Sequence, residues 1–187
     1  MNYFKQDHFL QYKYNDIFEY YGDKILDFGT GKGTFAQYLK SVGENVTGVD
    51  IVDKRVCTDF PFTLYNGHYI PSDDNHFDTV LCMFVLHHLS NQVEIIKELL
   101  RVSTKYVIIA EDLVENYMDR LFGSIHLNTS VWDKGVDSFH SDSEWKKIFK
   151  GLAAECELVQ TIYIPRSAYL LYPVSRAIYI LEKKSGV

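Results

Sequence analysis

The chain of 187 residues is long enough for one domain with a sizeable core. Apolar residues at 47% and charged residues at 24% exclude disorder, collagen and coiled coil. A net charge of −6 predicts neither nucleic acid nor an anionic membrane as partner, and the longest apolar run, residues 80–86, is far short of a spanning helix.

In chain order, Leu10, Tyr14, Ile17, Phe18 and Tyr21 share a helical face, and Gly22 stops that helix. A short strand over 24–28 runs into the loop Gly29-Thr30-Gly31-Lys32-Gly33. The next helix carries Phe35, Ala36, Leu39 and Val42 on one face and ends at Gly43. Residues 45–50 read as a second strand. Pro61, Asn66-Gly67, Pro71 and Asp73-Asp74 fill the stretch 51–74 with turn chemistry, leaving room for one short strand over 63–65.

Residues 77–83 form an apolar strand with Cys82 in its core. Asn91 with Glu94 opens a helix to Val102, on which Val93, Ile96 and Leu100 share a face with Ile95 and Leu99. A further apolar strand, 105–110, is ended by Glu111-Asp112. A helix is expected over 115–126. Ser141 with Glu144 opens the last helix, where Trp145, Ile148, Phe149 and Leu152 line one face. Strands over 157–164 and 177–182 close the chain. The alternation predicts an α/β sandwich with a mostly parallel central sheet, and the lack of any linker predicts a single domain over 1–187.

Cys57, Cys82 and Cys156 stand far apart with no C-x-x-C, the pattern of reduced thiols in a cytoplasmic protein. Residues 1–7 lack the apolar stretch of a secretory signal. No metal site is expected. His87 and His88 are adjacent, and neighbouring side chains on a strand or turn point apart.

The segment Ile25-Leu26-Asp27-Phe28-Gly29-Thr30-Gly31-Lys32-Gly33 is the most informative. Glycines at a strand-to-helix turn let backbone approach a ligand, and the helix N-terminus beyond offers free N–H groups. Asp50 falls at the end of the second strand, where a carboxylate can accept from two ribose hydroxyls. An adenosine cofactor follows. The glycines run at 29, 31 and 33, with Thr34 where the dinucleotide fingerprint needs glycine. Asp27 would repel a pyrophosphate but suits a cationic amino group. Both points favour S-adenosylmethionine over a dinucleotide.

These residues resemble the class I S-adenosylmethionine-dependent methyltransferases of the small-molecule type. The stretch 25–33 is similar to their first motif, and Val46-Thr47-Gly48-Val49-Asp50-Ile51 to their second-strand motif. Tyr65-Asn66-Gly67-His68-Tyr69-Ile70-Pro71 with Asp74-Asn75-His76-Phe77-Asp78-Thr79-Val80 resembles a third stretch. Val85-Leu86-His87-His88-Leu89 followed by Glu98-Leu99-Leu100-Arg101-Val102 resembles a fourth. The resemblance covers about residues 24–112. It implies a Rossmann-like three-layer sandwich whose seven-stranded, mostly parallel sheet has an antiparallel last strand.

By position, it implies that Gly29, Thr30 and Gly31 cradle the methionine part beside Asp27, that Asp50 binds the ribose and that Ile51 packs on the adenine. Asn66 and Gly67 would border the adenine edge, and Met83 would lie beside the cofactor. Asn66 stands where many members carry Asp, so a charge is lost there. A helix over 1–22, with Tyr3, His8 and Tyr12, would cover the site. Methyl transfer is an in-line displacement that needs positioning above all, and a base only for a protonated acceptor. His87, His88 and Glu111 are the candidates for that base. Tyr117, Met118, Phe122, Trp132 and Phe139, within 111–140, are the expected wall for a small-molecule acceptor. A dinucleotide-dependent oxidoreductase and a non-catalytic cofactor-binding protein of the same fold are the alternative readings.

Overall fold

The computed structural model describes residues 16–116, 119, 138–164 and 175–186. Tyr3, His8, Tyr12, Tyr117, Met118, Phe122 and Trp132, and most of the helix expected over 115–126, lie outside the described residues. Seven strands appear among the described residues: β1 (Ile25–Phe28), β2 (Val46–Asp50), β3 (Phe62–Leu64), β4 (Phe77–Met83), β5 (Ser103–Leu113), β6 (Cys156–Ile164) and β7 (Ser175–Lys183). They form one sheet in the order β3-β2-β1-β4-β5-β7-β6. The order reverses beside β1, where open α/β sheets hold their ligands. The α-helices lying wholly within the described residues are α1 (Thr34–Ser41), α2 (Gln92–Val102) and α3 (Asp142–Gly151). Among the described residues none is long and apolar enough to cross a membrane.

The described chain forms two compact units, one from residues 16–81 and 98–107, the other from 82–97 and 108–186. In the first, β1 pairs parallel with β2, Asp27 opposite Gly48, and β2 pairs parallel with β3, Asp50 opposite Leu64. Phe35, Ala36 and Leu39 of α1 are buried as expected. Val42 is not: the helix ends one residue before it, and its side chain is exposed. No helix occurs over 51–76, in keeping with the turn residues there, and β3 starts one residue earlier than expected. Residues 18–20 form a 3₁₀ turn whose Tyr20 carbonyl accepts from the Thr79 hydroxyl at 2.6 Å.

In the second unit, β6 and β7 pair antiparallel, with a register shift between Leu158 and Gln160. Ser141 caps α3 in a full capping box with Glu144, as its sequence spacing predicted. Trp145 stacks on Phe149, and Phe149 meets Tyr179 edge-on at 5.1 Å. Strand β5 runs past its expected end. Glu111 and Asp112 lie inside it and are buried, rather than terminating it. Each carboxylate has a partner that makes this tolerable: the Arg176 guanidinium donates to Asp112 at 2.6 Å, and Glu111 is bound as described below. On α2, Ile95, Ile96, Leu99 and Leu100 are buried, while Val93 is exposed.

Candidate functional site

Strand β1 stops where its chain turns across the end of β2. The Gly29 and Thr30 N–H groups both donate to the Val49 carbonyl, at 2.8 and 3.2 Å. The Thr30 hydroxyl points inward, donating to the Asp27 carbonyl at 2.8 Å, so Thr30 braces the loop and offers a ligand only its backbone. Gly29, Gly31 and Gly33 have φ of 72°, 55° and 76°. Gly33 also has a packing reason to be glycine. A Cβ there would lie 2.6 Å from the Cys57 carbonyl oxygen and 2.9 Å from the Phe60 ring.

The Asp50 carboxylate faces this loop. Its Oδ2 accepts from the Gly31 N–H at 2.8 Å and its Oδ1 from the Ile51 N–H at 2.7 Å. A carboxylate accepts about four hydrogen bonds, so each oxygen keeps a lone pair for one of two vicinal hydroxyls. Asp27 sits behind the loop, buried. Burial first, and the Asp50 charge second, push its carboxyl up to about 7. A buried carboxylate with no cationic partner among the described residues is suited to receive one.

Beyond Asp50, Ile51 is 57% exposed. A Cβ on Gly67, whose φ is 84°, would lie 3.9 Å from the Ile51 side chain, so the two lie side by side. Asn66 Oδ1 accepts from the His68 N–H at 2.9 Å and the Tyr69 N–H at 2.8 Å. Two backbone donors fix which end of the amide is oxygen, so Asn66 has its NH₂ left to offer. Of the residues singled out for the cofactor, Asp27, Gly29, Thr30, Gly31, Asp50, Ile51, Asn66 and Gly67 are thus gathered in the first unit. The donor set fits S-adenosylmethionine: a carboxylate for the amino group, a carboxylate for the ribose, an apolar side chain and an amide beside the base.

Met83, His87, His88 and Glu111 belong to the second unit. Met83 ends β4 and is half-buried. His87 and His88 lie on a 3₁₀ turn, Leu86–His88. Contrary to expectation they do not point apart. Their ring centroids are 4.1 Å apart, because successive side chains diverge by only about 120° in a turn of three residues. His87 Nδ1 meets Glu111 Oε2 at 2.5 Å, and Glu111 Oε1 accepts from the Leu86 N–H at 2.7 Å. Burial opposes the positive charge on His87, but Glu111, and Asp112 after it, outweigh burial and raise its pKa.

Phe139, from the expected acceptor wall, stacks on the His87 ring at 4.7 Å. Sequence reasoning missed Gln92. Its Nε2 donates to the Leu86 and Ser138 carbonyls at 2.9 and 2.8 Å, and its Oε1 meets His140 Nε2 at 2.7 Å. A glutamine at the start of a helix carries no signal of such a role. No group of three metal-ligating side chains occurs among the described residues.

Residues 26–109 match the sequence profile of the methyltransferase-domain family. The ubiquinone biosynthesis O-methyltransferase of Rickettsia bellii is 30% identical over 122 residues, covering 60% of this chain and 50% of that protein. The chain therefore spans about half the length of the curated relatives it matches. The magnesium protoporphyrin IX methyltransferase of Synechocystis with bound SAH superposes with a TM-score of 0.66 at 17% identity, over 95% of this chain and 81% of that one. The [4+2]-cyclase SpnF superposes with a TM-score of 0.70 at 16% identity, over 96% of this chain and 81% of its own. At these identities the two structures are similar in fold alone.

Proposed function

We propose that this chain, whose residues 26–109 match the methyltransferase-domain family, binds S-adenosylmethionine on the Asp27–Gly33 loop and methylates a small molecule. The carrying observation is Asp50, anchored by the Gly31 and Ile51 N–H groups with a free lone pair on each oxygen. Asp50 would hold the two ribose hydroxyls and Asp27 the amino group. Ile51 and the Asn66-Gly67 turn would flank the adenine. The bound cofactor supplies a methyl group on a positively charged sulfur.

The protein then has to place an acceptor and, where the acceptor is protonated, remove its proton. The His87–Glu111 pair is our proposed base. Glu111 holds the His87 ring by one nitrogen and favours the imidazolium that proton uptake produces. The small-molecule reading is supported by the net charge of −6, by Phe139 on the His87 face and by the quinone-biosynthesis O-methyltransferase among the relatives. The reduced thiols Cys57, Cys82 and Cys156 support a cytoplasmic setting.

The test is calorimetric titration with S-adenosylhomocysteine and with NADH. Binding of the first and not the second is expected; the reverse would make the chain an oxidoreductase. A third reading is a protein of this fold in which the cofactor binds without methyl transfer. Release of S-adenosylhomocysteine from S-adenosylmethionine on adding a small-molecule extract separates the two.

A further inference from the structure

We propose that Glu98 and Arg101, near the C-terminal end of α2, are positioning residues that hold the Asn66 amide at an adenine slot beside Ile51 and Gly67, its NH₂ donating to the ring nitrogen N1, and so set selectivity for adenine over a 6-oxopurine, whose N1–H is itself a donor. The inference rests on the S-adenosylmethionine reading above and adds residues outside the slot to it.

Residues 65–76 run twelve positions with no regular element. Such a segment loses roughly 1–2 kcal/mol of backbone entropy for each residue it fixes, so something must hold it. The Ile70 N–H donates to Glu98 Oε1 at 2.7 Å, and the Ile70 carbonyl accepts from Arg101 Nη2 at 2.9 Å. Arg101 Nη1 donates to the Ser72 carbonyl at 2.9 Å and to Asp74 Oδ1 at 2.6 Å. Its Nε and Nη2 grip Glu98 as a fork, at 2.8 and 2.7 Å.

These five contacts match the five N–H donors of a guanidinium, so nothing is left over for solvent. The flat face is used as well, lying 4.2 Å from the Tyr69 ring centroid. The side chains are largely enclosed, 20% exposed for Arg101 and 11% for Glu98, so this is no solvated surface pair.

The clamp connects directly to the slot. Tyr69, under the guanidinium, donates its N–H to Asn66 Oδ1, and that bond, with the one from the His68 N–H, fixes the Asn66 amide next to Gly67 in the chain. Polar recognition of a base edge fails when donors move by a fraction of an ångström. Arg101 and Glu98 therefore act on the base through the loop. A lysine at 101 has three donors and no fork, and cannot reproduce the grip.

The experiment compares the parent with Arg101→Lys and Glu98→Gln, by calorimetry well below each melting temperature. The probes are S-adenosylhomocysteine and its 6-oxo counterpart, S-inosylhomocysteine. Both variants are expected to bind S-adenosylhomocysteine about tenfold more weakly, as for loss of a charged hydrogen bond. Their preference for adenine, whose N1 accepts, over the 6-oxo base, whose N1–H donates, should shrink with it, a readout that a purely structural role would not move. Amide hydrogen exchange over 66–72 should quicken.

Lower melting temperatures with unchanged affinity and preference would overturn the proposal while leaving the cofactor reading intact. A parent that binds neither probe would overturn both. Should Arg101→Lys fail to fold, Glu98→Gln carries the test, since its amide oxygen still accepts from the Ile70 N–H.

Discussion

Replacing Asp27 by asparagine should stabilise the ligand-free protein, increasingly so as pH rises. Burial first, and the neighbouring Asp50 second, lift the Asp27 carboxyl from 3.8 to about 7. Between these values the folded protein holds a proton that the unfolded chain has released. Stability therefore falls as pH rises from about 4 to about 7, and levels off above it. A rise of this size corresponds to about 4 kcal/mol at the plateau, taking 1.36 kcal/mol per pH unit. Asparagine keeps the shape and cannot ionise, so it escapes that cost.

Urea denaturation of parent and Asp27→Asn across this range should show the difference growing by a few kcal/mol, and levelling off near neutrality. A difference independent of pH would mean that Asp27 ionises as easily in the folded protein as in the unfolded chain, and would refute the reasoning. Saturating S-adenosylmethionine should narrow the gap above pH 7, because its amino group gives the parent's Asp27 carboxylate a cationic partner. Above pH 7 the variant should bind the cofactor more weakly, and the difference should shrink as pH falls and Asp27 takes up its proton.

Asp50→Ala should weaken S-adenosylhomocysteine binding by about 1.5–3 kcal/mol, measured by calorimetry, because it removes a charged acceptor. Gly33→Ala should destabilise the chain by roughly 1–3 kcal/mol in chemical denaturation: the left-handed φ is strained for alanine, and its Cβ meets the Cys57 carbonyl. Glu111→Gln should bring the His87 titration down, as followed by NMR of the imidazole. In the parent, the raised His87 pKa gives a stabilisation that is complete below about 6.5 and lost as pH rises through the folded-state value. His87→Ala leaves Glu111 buried and charged without its partner, at a cost of about 3–5 kcal/mol in urea unfolding.

The turn and strand ends proposed to hold the cofactor stand out in the sequence because their chemistry is local. Asp27, the glycines and Asp50 serve one turn and two adjacent strand ends, and each announces itself by residue type and spacing. Ser141 and Glu144 did the same for α3. Long-range pairings were invisible. Two consecutive carboxylates normally end a strand, yet Glu111 and Asp112 stay inside β5 because His87, 24 positions away, and Arg176, 64 positions away, meet them. The hold of Arg101 on Ser72 and Ile70 was equally hidden, since backbone carbonyls leave no mark on residue type.

The register shift in β6 has a consequence for handedness along the strand. Paired residues share a side of the sheet, and sides alternate along β7. Leu158 pairs with Leu181 and Thr161 with Tyr179, so skipping Val159 swaps odd positions for even ones. Cys156 and Leu158 before the shift, and Tyr163 after it, come to face the same way as Tyr179. That is why one carboxylate, Asp142 at the head of α3, accepts from both tyrosines, Tyr163 at 2.9 Å and Tyr179 at 3.0 Å. An unbroken strand would have turned Tyr163 to the far side and left the helix moored to a single strand. One supernumerary residue thus lets Asp142 fasten two strands at once.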